Sequence, residues 1–230
     1  MKWLCTLCFL VFLSTSSISL KAQHAIGPIA GINLPFVNFT DFVIDSRYNG
    51  AIMPTNYIGM SYRYQSHKNV GFQVDIAYSQ KGWGQQIQDS LNNITVNNVI
   101  NYIELPLYMR WSLLGDRKFN INVNVGCYAA YAVGQKTNLA KQDSVNQRVA
   151  IYDINTDNRG DFGFIIGLGI SYKFNFGYLQ LEGGYRAGFA NILPVSHITK
   201  ENPIVSTNQS PTFLFSYLIP INRRDREGKE

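Results

Sequence analysis

Between Phe119 and Gly134 the chain changes character at every step. Phe119, Ile121, Val123, Val125, Cys127, Ala129, Tyr131 and Val133 fall on one side of the run. Asn120, Asn122, Asn124, Gly126, Tyr128, Ala130, Ala132 and Gly134 fall on the other. Period two belongs to an extended strand, whose successive side chains point to opposite faces. Asparagine alternating with Ile and Val is poor helix material. The length constrains the run as much as the pattern does. From Phe119 to Tyr131 such a strand covers about 40 Å, roughly 30 Å in height at the tilt of barrel strands, which matches a hydrocarbon core.

Seven further segments follow the same rule. In 25–35, Ile26, Ala30, Ile32 and Leu34 share a side. In 56–64, Ile58, Met60, Tyr62 and Tyr64 oppose Gly59, Ser61 and Arg63. In 70–83, Phe72, Val74, Ile76 and Tyr78 oppose Gln73, Asp75, Ala77 and Ser79. In 99–111, Ile103, Leu105, Leu107, Met109 and Trp111 face away from Tyr102, Glu104, Tyr108 and Arg110. In 161–174, Phe162, Phe164, Ile166, Leu168, Ile170 and Tyr172 align. In 178–189, Leu179, Leu181, Tyr185, Ala187 and Phe189 oppose Gln180, Glu182, Gly184 and Arg186. In 212–221, Phe213, Phe215, Tyr217, Ile219 and Ile221 are in register.

Soluble sandwiches and lipocalin-like barrels alternate too, so the connections must decide. Segments 65–69, 112–118 and 175–177 are short, whereas 36–55, 84–98, 135–160 and 190–211 are long and polar. Short and long alternate strictly. Short periplasmic turns and long external loops are the habit of outer-membrane barrels, and an even strand count leaves both ends in the periplasm. Aromatics gather at both ends of the apolar faces, as two interfacial belts require. Tyr62, Tyr64, Phe72, Trp111, Phe119, Tyr172 and Phe174 lie near the short turns, and Tyr78, Tyr131, Phe162, Tyr185, Phe189 and Phe213 near the long loops. Only 15% of the residues are charged, against about 25% in ordinary globular chains. The expected fold is all-β: a transmembrane antiparallel up-and-down barrel of eight strands.

The start of the chain reads differently. Lys2, the apolar stretch 3–13 and the small, polar exit 14–22 have the layout of a cleaved secretory leader, with the cut between Ala22 and Gln23. The stretch is shorter than the ~20 residues of a membrane helix. The expected organisation is a leader at 1–22, a barrel over 23–222 and a charged periplasmic tail at 223–230. Cleavage would remove Cys5, Cys8, Lys2 and Lys21, leaving Cys127 alone on an apolar face and a positive balance too weak to suggest nucleic acid.

Tyr78-Ser79-Gln80-Lys81-Gly82 followed by Asn101-Tyr102-Ile103-Glu104-Leu105-Pro106-Leu107, with the opening 27–34 and the Ala22-Gln23 exit, resembles the PorT-like outer-membrane barrel family of Bacteroidota. The resemblance covers nearly all of the mature chain. It implies an eight-stranded barrel in the outer membrane, with an accessory role in protein secretion as in the family's named member. The ending departs from the usual pattern: Pro220-Ile221-Asn222 leads into the charged tail, where an aromatic ordinarily closes the last strand.

The inward faces carry Arg63, Asp75, Glu104, Arg110, Lys173, Glu182 and Arg186. Charges cost several kcal/mol each in hydrocarbon, so these residues must face inward and pair. Side chains fill an eight-stranded barrel, so a structural plug of acid and base is expected. No catalytic set is expected: His197, Ser196, Asp153, Asp157 and Asp161 lie in or beside long loops with no spacing that brings nucleophile, base and orienter together. His24, His67 and His197 are too scattered to suggest a metal, and no cofactor motif appears: Gly167-Leu168-Gly169 and Gly183-Gly184 sit inside strands, as close-packing glycines do. The expected surroundings are outer-membrane lipid around a monomeric barrel, with periplasmic or outer-membrane protein partners. Three roles stay open: a secretion accessory or scaffold, a surface barrel whose loops bind a ligand or host molecule, and a narrow passive channel.

Overall fold

The computed structural model describes residues 23–40, 48–51, 53–65, 69–88, 93–115, 118–139, 151–193 and 205–221. The expected leader and the tail lie outside these residues, as do Ser196, His197 and His67.

Ten strands form one antiparallel sheet: β1 Gln23–Asn33, β2 Phe36–Thr40, β3 Tyr48–Ala51, β4 Thr55–Gln65, β5 Val70–Gln88, β6 Asn93–Gly115, β7 Phe119–Leu139, β8 Gly160–Lys173, β9 Tyr178–Asn191 and β10 Val205–Pro220. The order runs β1-β4-β5-β6-β7-β8-β9-β10, and β10 pairs back onto β1. The result is a closed ring of eight strands, with β2 and β3 as short additions beyond its rim. All eight segments expected from alternation are wall strands.

The faces fall as the alternation requires. Ile58, Ile76, Leu105, Ile166, Leu168 and Phe213 are each more than half exposed, while Gln73, Ser79, Glu104, Asn122 and Gln180 are buried. An apolar outer wall around a polar interior inverts the plan of a soluble protein. It is stable only where the solvent is hydrocarbon. Trp111, Phe119, Tyr172 and Phe174 are exposed at the short-turn end, and Tyr131, Phe162 and Phe189 at the other. Cys127 also lies on the outer face.

The expected loop boundaries need correction. Segment 84–98 is not a long loop: β5 runs on to Gln88 and β6 starts at Asn93. With 23 residues, β6 is about twice as long as a membrane crossing needs, so this hairpin stands well beyond the bilayer. Its outer part is rich in Gln and Asn in sequence, which hides the alternation. Segment 36–55 likewise holds β2 and β3, and prolines explain the break. Asn33 pairs with Thr55 at the last rung between β1 and β4. Pro35 and Pro54, which lack an N–H, lie just beyond that rung and cannot continue the ladder. Past this point β2 keeps to β10 and β3 to β5. Asn33 Nδ2 and Thr55 Oγ1 instead donate to the Gln80 carbonyl, at 3.0 and 2.6 Å.

Gly82 is the one positive-φ glycine among the described residues, at 148°. A Cβ there would stand 1.9 Å from the Asn98 carbonyl oxygen. Only glycine lets β5 and β6 approach this closely as the hairpin leaves the membrane.

Candidate functional site in the lumen and at its external mouth

Strand parity aims every second side chain of the wall into the lumen, where the charged ones collect in two layers. In the layer nearer the external mouth, Lys81 Nζ lies 2.9 Å from Glu104 Oε2 and 3.1 Å from Asp161 Oδ2. Arg186 Nε lies 2.9 Å from Glu104 Oε1. Asp161 Oδ2 also accepts from Tyr128 Oη and Asn208 Nδ2, at 3.1 and 3.0 Å. Aromatic faces complete the cage: Lys81 Nζ sits 3.9 Å from the Tyr128 ring centre, and the Arg186 guanidinium 4.8 Å from that of Tyr57.

In the layer nearer the short turns, Arg110 Nη1 meets Glu182 Oε1 at 3.0 Å. Asn124 Nδ2 donates to the same oxygen at 2.7 Å, and Gln180 Nε2 also donates to it. Asp75 accepts from Tyr108 Oη at 2.8 Å and from Gln73 Nε2 at 3.2 Å. Arg63 and Arg110 both donate to Gln73 Oε1. Arg63, Lys81, Arg110 and Arg186 therefore balance Asp75, Glu104, Asp161 and Glu182 in number. Buried charge is tolerated when it is paired and hydrogen-bonded.

Six of the seven residues singled out by alternation, all but Lys173, line the lumen. Lys173 is exposed at the short-turn rim, where its Nζ sits 5.7 Å from the Tyr178 ring centre. It is the last residue of β8, so its side chain reaches water instead of the interior. Two further charged residues, Lys81 and Asp161, also line the lumen. Lys81 continues the inward series Gln73, Asp75, Ala77, Ser79 without a break of phase, but the turn-like Gly82-Trp83-Gly84 that follows masks its place inside the strand. Asp161, expected beside a loop, is buried in the lumen one residue into β8.

Above the charges the interior becomes apolar. Trp83, Ile100, Tyr102, Ala132, Tyr152, Ile192 and Leu193 pack together, with Val37, Phe39 and Ile154 against them. Tyr152 belongs to an ordered segment, 151–159, folded over the mouth. Its hydroxyl donates to the Asn158 carbonyl at 3.1 Å, and burial pushes its phenol up to about 12. Asn158 Nδ2 donates to the Asn191 carbonyl at 2.8 Å, and the Ala132 amide donates to the Arg159 carbonyl at 2.8 Å. Alternation does not mark this cap, because its apolar residues are short runs, such as Ile151-Tyr152 and Ile192-Leu193, within long connections.

A closed eight-stranded cylinder with an apolar exterior, two aromatic belts and an ion-paired interior defines an integral outer-membrane barrel. Residues 21–193 match the family described as outer membrane protein beta-barrel domain, and the chain belongs to that family. No curated protein matches it in sequence. Among solved structures it is similar to OprG of Pseudomonas aeruginosa (10% identity, TM-score 0.46, 88% of this chain and 97% of that one). It is likewise similar to outer membrane protein W of Escherichia coli (12%, 0.46, 88% and 99%). A third is the outer membrane protease OmpT of Escherichia coli (9%, 0.40, 90% and 99%).

Proposed function

We propose that this protein is a non-conducting, non-enzymatic barrel that works through its surfaces, as an accessory or scaffold of protein secretion like the PorT-like barrels it resembles. One observation carries the reading: the space a solute would need is taken by paired charges below and by the Trp83–Tyr152–Ile192 cluster above. The lumen charges are structural on this view. Each inward carboxylate is engaged by a cation, a tyrosine or an amide, which leaves none poised as a general base. Export proceeds through the leader at 1–22, and the barrel inserts as a monomer. A polypeptide cannot pass so narrow and full a cylinder, so any part in secretion is that of a partner to the conduit.

The test is deletion of the gene in the native bacterium. Surface proteins should then accumulate in the periplasm while small-solute uptake is unchanged. Normal export in the deletion strain would overturn the secretion role.

A second reading, ligand binding at the cell surface, draws on the ordered external segment. Asn155, Thr156, Asn158 and Arg159 are exposed there on a scaffold fixed by Tyr152, and loops held on rigid frames commonly carry binding. Deletion of 153–158 would abolish such binding and leave barrel assembly intact.

A further inference from the structure

The cations at the short-turn end of the lumen are not all answered by anions. Arg63 is 5% exposed and Arg110 2% exposed. Arg63 Nε and Arg110 Nη1 each reach the single oxygen Gln73 Oε1 at 3.4 Å, so the two donor atoms are no farther apart than twice that distance. Arg110 has Glu182 as its counter-ion. Among the described residues no carboxylate lies within ion-pair reach of Arg63, and Asp75 is connected to it only through the Gln73 amide. The Nη2 of Arg63 and the Nη2 of Arg110 both lack a hydrogen-bond acceptor.

Two buried guanidiniums that share one neutral oxygen repel each other, and each wastes a donor. Orphaned buried donors are rare enough that each calls for a bound water or ion. The paired N–H groups of a guanidinium fit the oxygens of a carboxylate or phosphate. The route in is also basic. Tyr178 lies between Arg63 and Lys173, with the Arg63 guanidinium 5.6 Å and Lys173 Nζ 5.7 Å from its ring centre. Its hydroxyl is tied to Gln23 Oε1 at 2.8 Å. Lys118 and Lys173 are both exposed at this rim. The Tyr178 ring thus touches both the buried Arg63 and the exposed Lys173 at the edge of the barrel.

We propose that the periplasmic end of the lumen binds a small oxyanion, a phosphate or a carboxylate, between Arg63 and Arg110, with Tyr178 as the cover it displaces and Lys173 at the entrance. This assignment goes beyond the scaffold reading and stands or falls separately from it.

The full barrel would be placed in nanodiscs of uncharged lipid, and inorganic phosphate exchanged for chloride at constant ionic strength. The side-chain Nε–H resonances of Arg63 and Arg110 should then move saturably. Arg63→Gln should weaken the response of Arg110 about tenfold or more, the loss expected of one charge-assisted pair. Arg63→Lys, which keeps the charge and loses the fork, covers the case in which Arg63→Gln does not fold, and should also weaken it. A second arm replaces the uncharged lipid with phosphatidylglycerol and omits phosphate. If the same resonances move there and not with free phosphate, the oxyanion is a lipid headgroup. Silence of Arg63 and Arg110 in both arms, or an equal response in the Arg63 variants, overturns the proposal.

Discussion

Glu104 Oε1 and Arg186 Nε meet at 2.9 Å across the lumen, although their strands β6 and β9 are separated in the wall by β7 and β8. Arg110 and Glu182 join the same two strands one layer below. These pairs brace opposite walls of the cylinder, which neighbour-to-neighbour backbone ladders cannot do.

Glu104 should therefore be the most sensitive interior position, because it answers both Lys81 and Arg186. Glu104→Gln leaves an uncompensated buried cation, and breaking a buried pair costs about 3–5 kcal/mol. Urea unfolding of the barrel in lipid vesicles measures it. A loss well below 1 kcal/mol would mean that the pair contributes nothing to stability.

On the outer wall the cost of a charge should depend on depth. Leu168→Arg places a cation in mid-bilayer and should destabilise by about 2–4 kcal/mol, whereas Phe174→Arg, in the belt at the short turns, should cost about 0–1 kcal/mol. The same unfolding assay compares them. Equal costs would contradict the assigned membrane position.

The cap predicts a local effect. Tyr152→Ala removes a buried aromatic that tethers the external segment, while the ion pairs beneath keep their partners. Limited proteolysis should cut within 151–159 in the variant and not in the parent. The mobility shift between unheated and boiled samples should persist in both.

Two glycines separate backbone strain from general sensitivity. Gly82→Ala forces a side chain into positive φ and against the Asn98 carbonyl, a strain of about 1–3 kcal/mol. A Cβ at Gly160 meets nothing within 4 Å, so Gly160→Ala should stay within about 0.5 kcal/mol of the parent. Thermal unfolding distinguishes the two.

How far the sequence could be read depended on where two solvents compete for one strand. Inside the bilayer, lipid and lumen impose opposite demands on successive residues. The faces of β7 and β8, and the inward placement of Glu104, Arg110 and Arg186, could therefore be read by counting. Beyond the bilayer no lipid faces the strand, so Gln85 to Gln88 and Asn93 to Asn98 carry no apolar–polar period and read as loop. Parity alone places Lys173 inward, but parity does not bury the last residue of a strand. The cap escaped for a different reason. Tyr152, Ile192 and Leu193 come together through tertiary folding of connections, and no local pattern announces that.

The most direct test of a filled, capped cylinder is electrical. Purified protein reconstituted into planar bilayers should show no steady conductance above that of the bare membrane, both in the parent and in Tyr152→Ala, whose ion-paired layers are intact. Stable, ohmic single-channel currents from the parent protein would contradict the account, because ions could then cross a lumen closed by its paired charges and by the apolar cluster at its mouth.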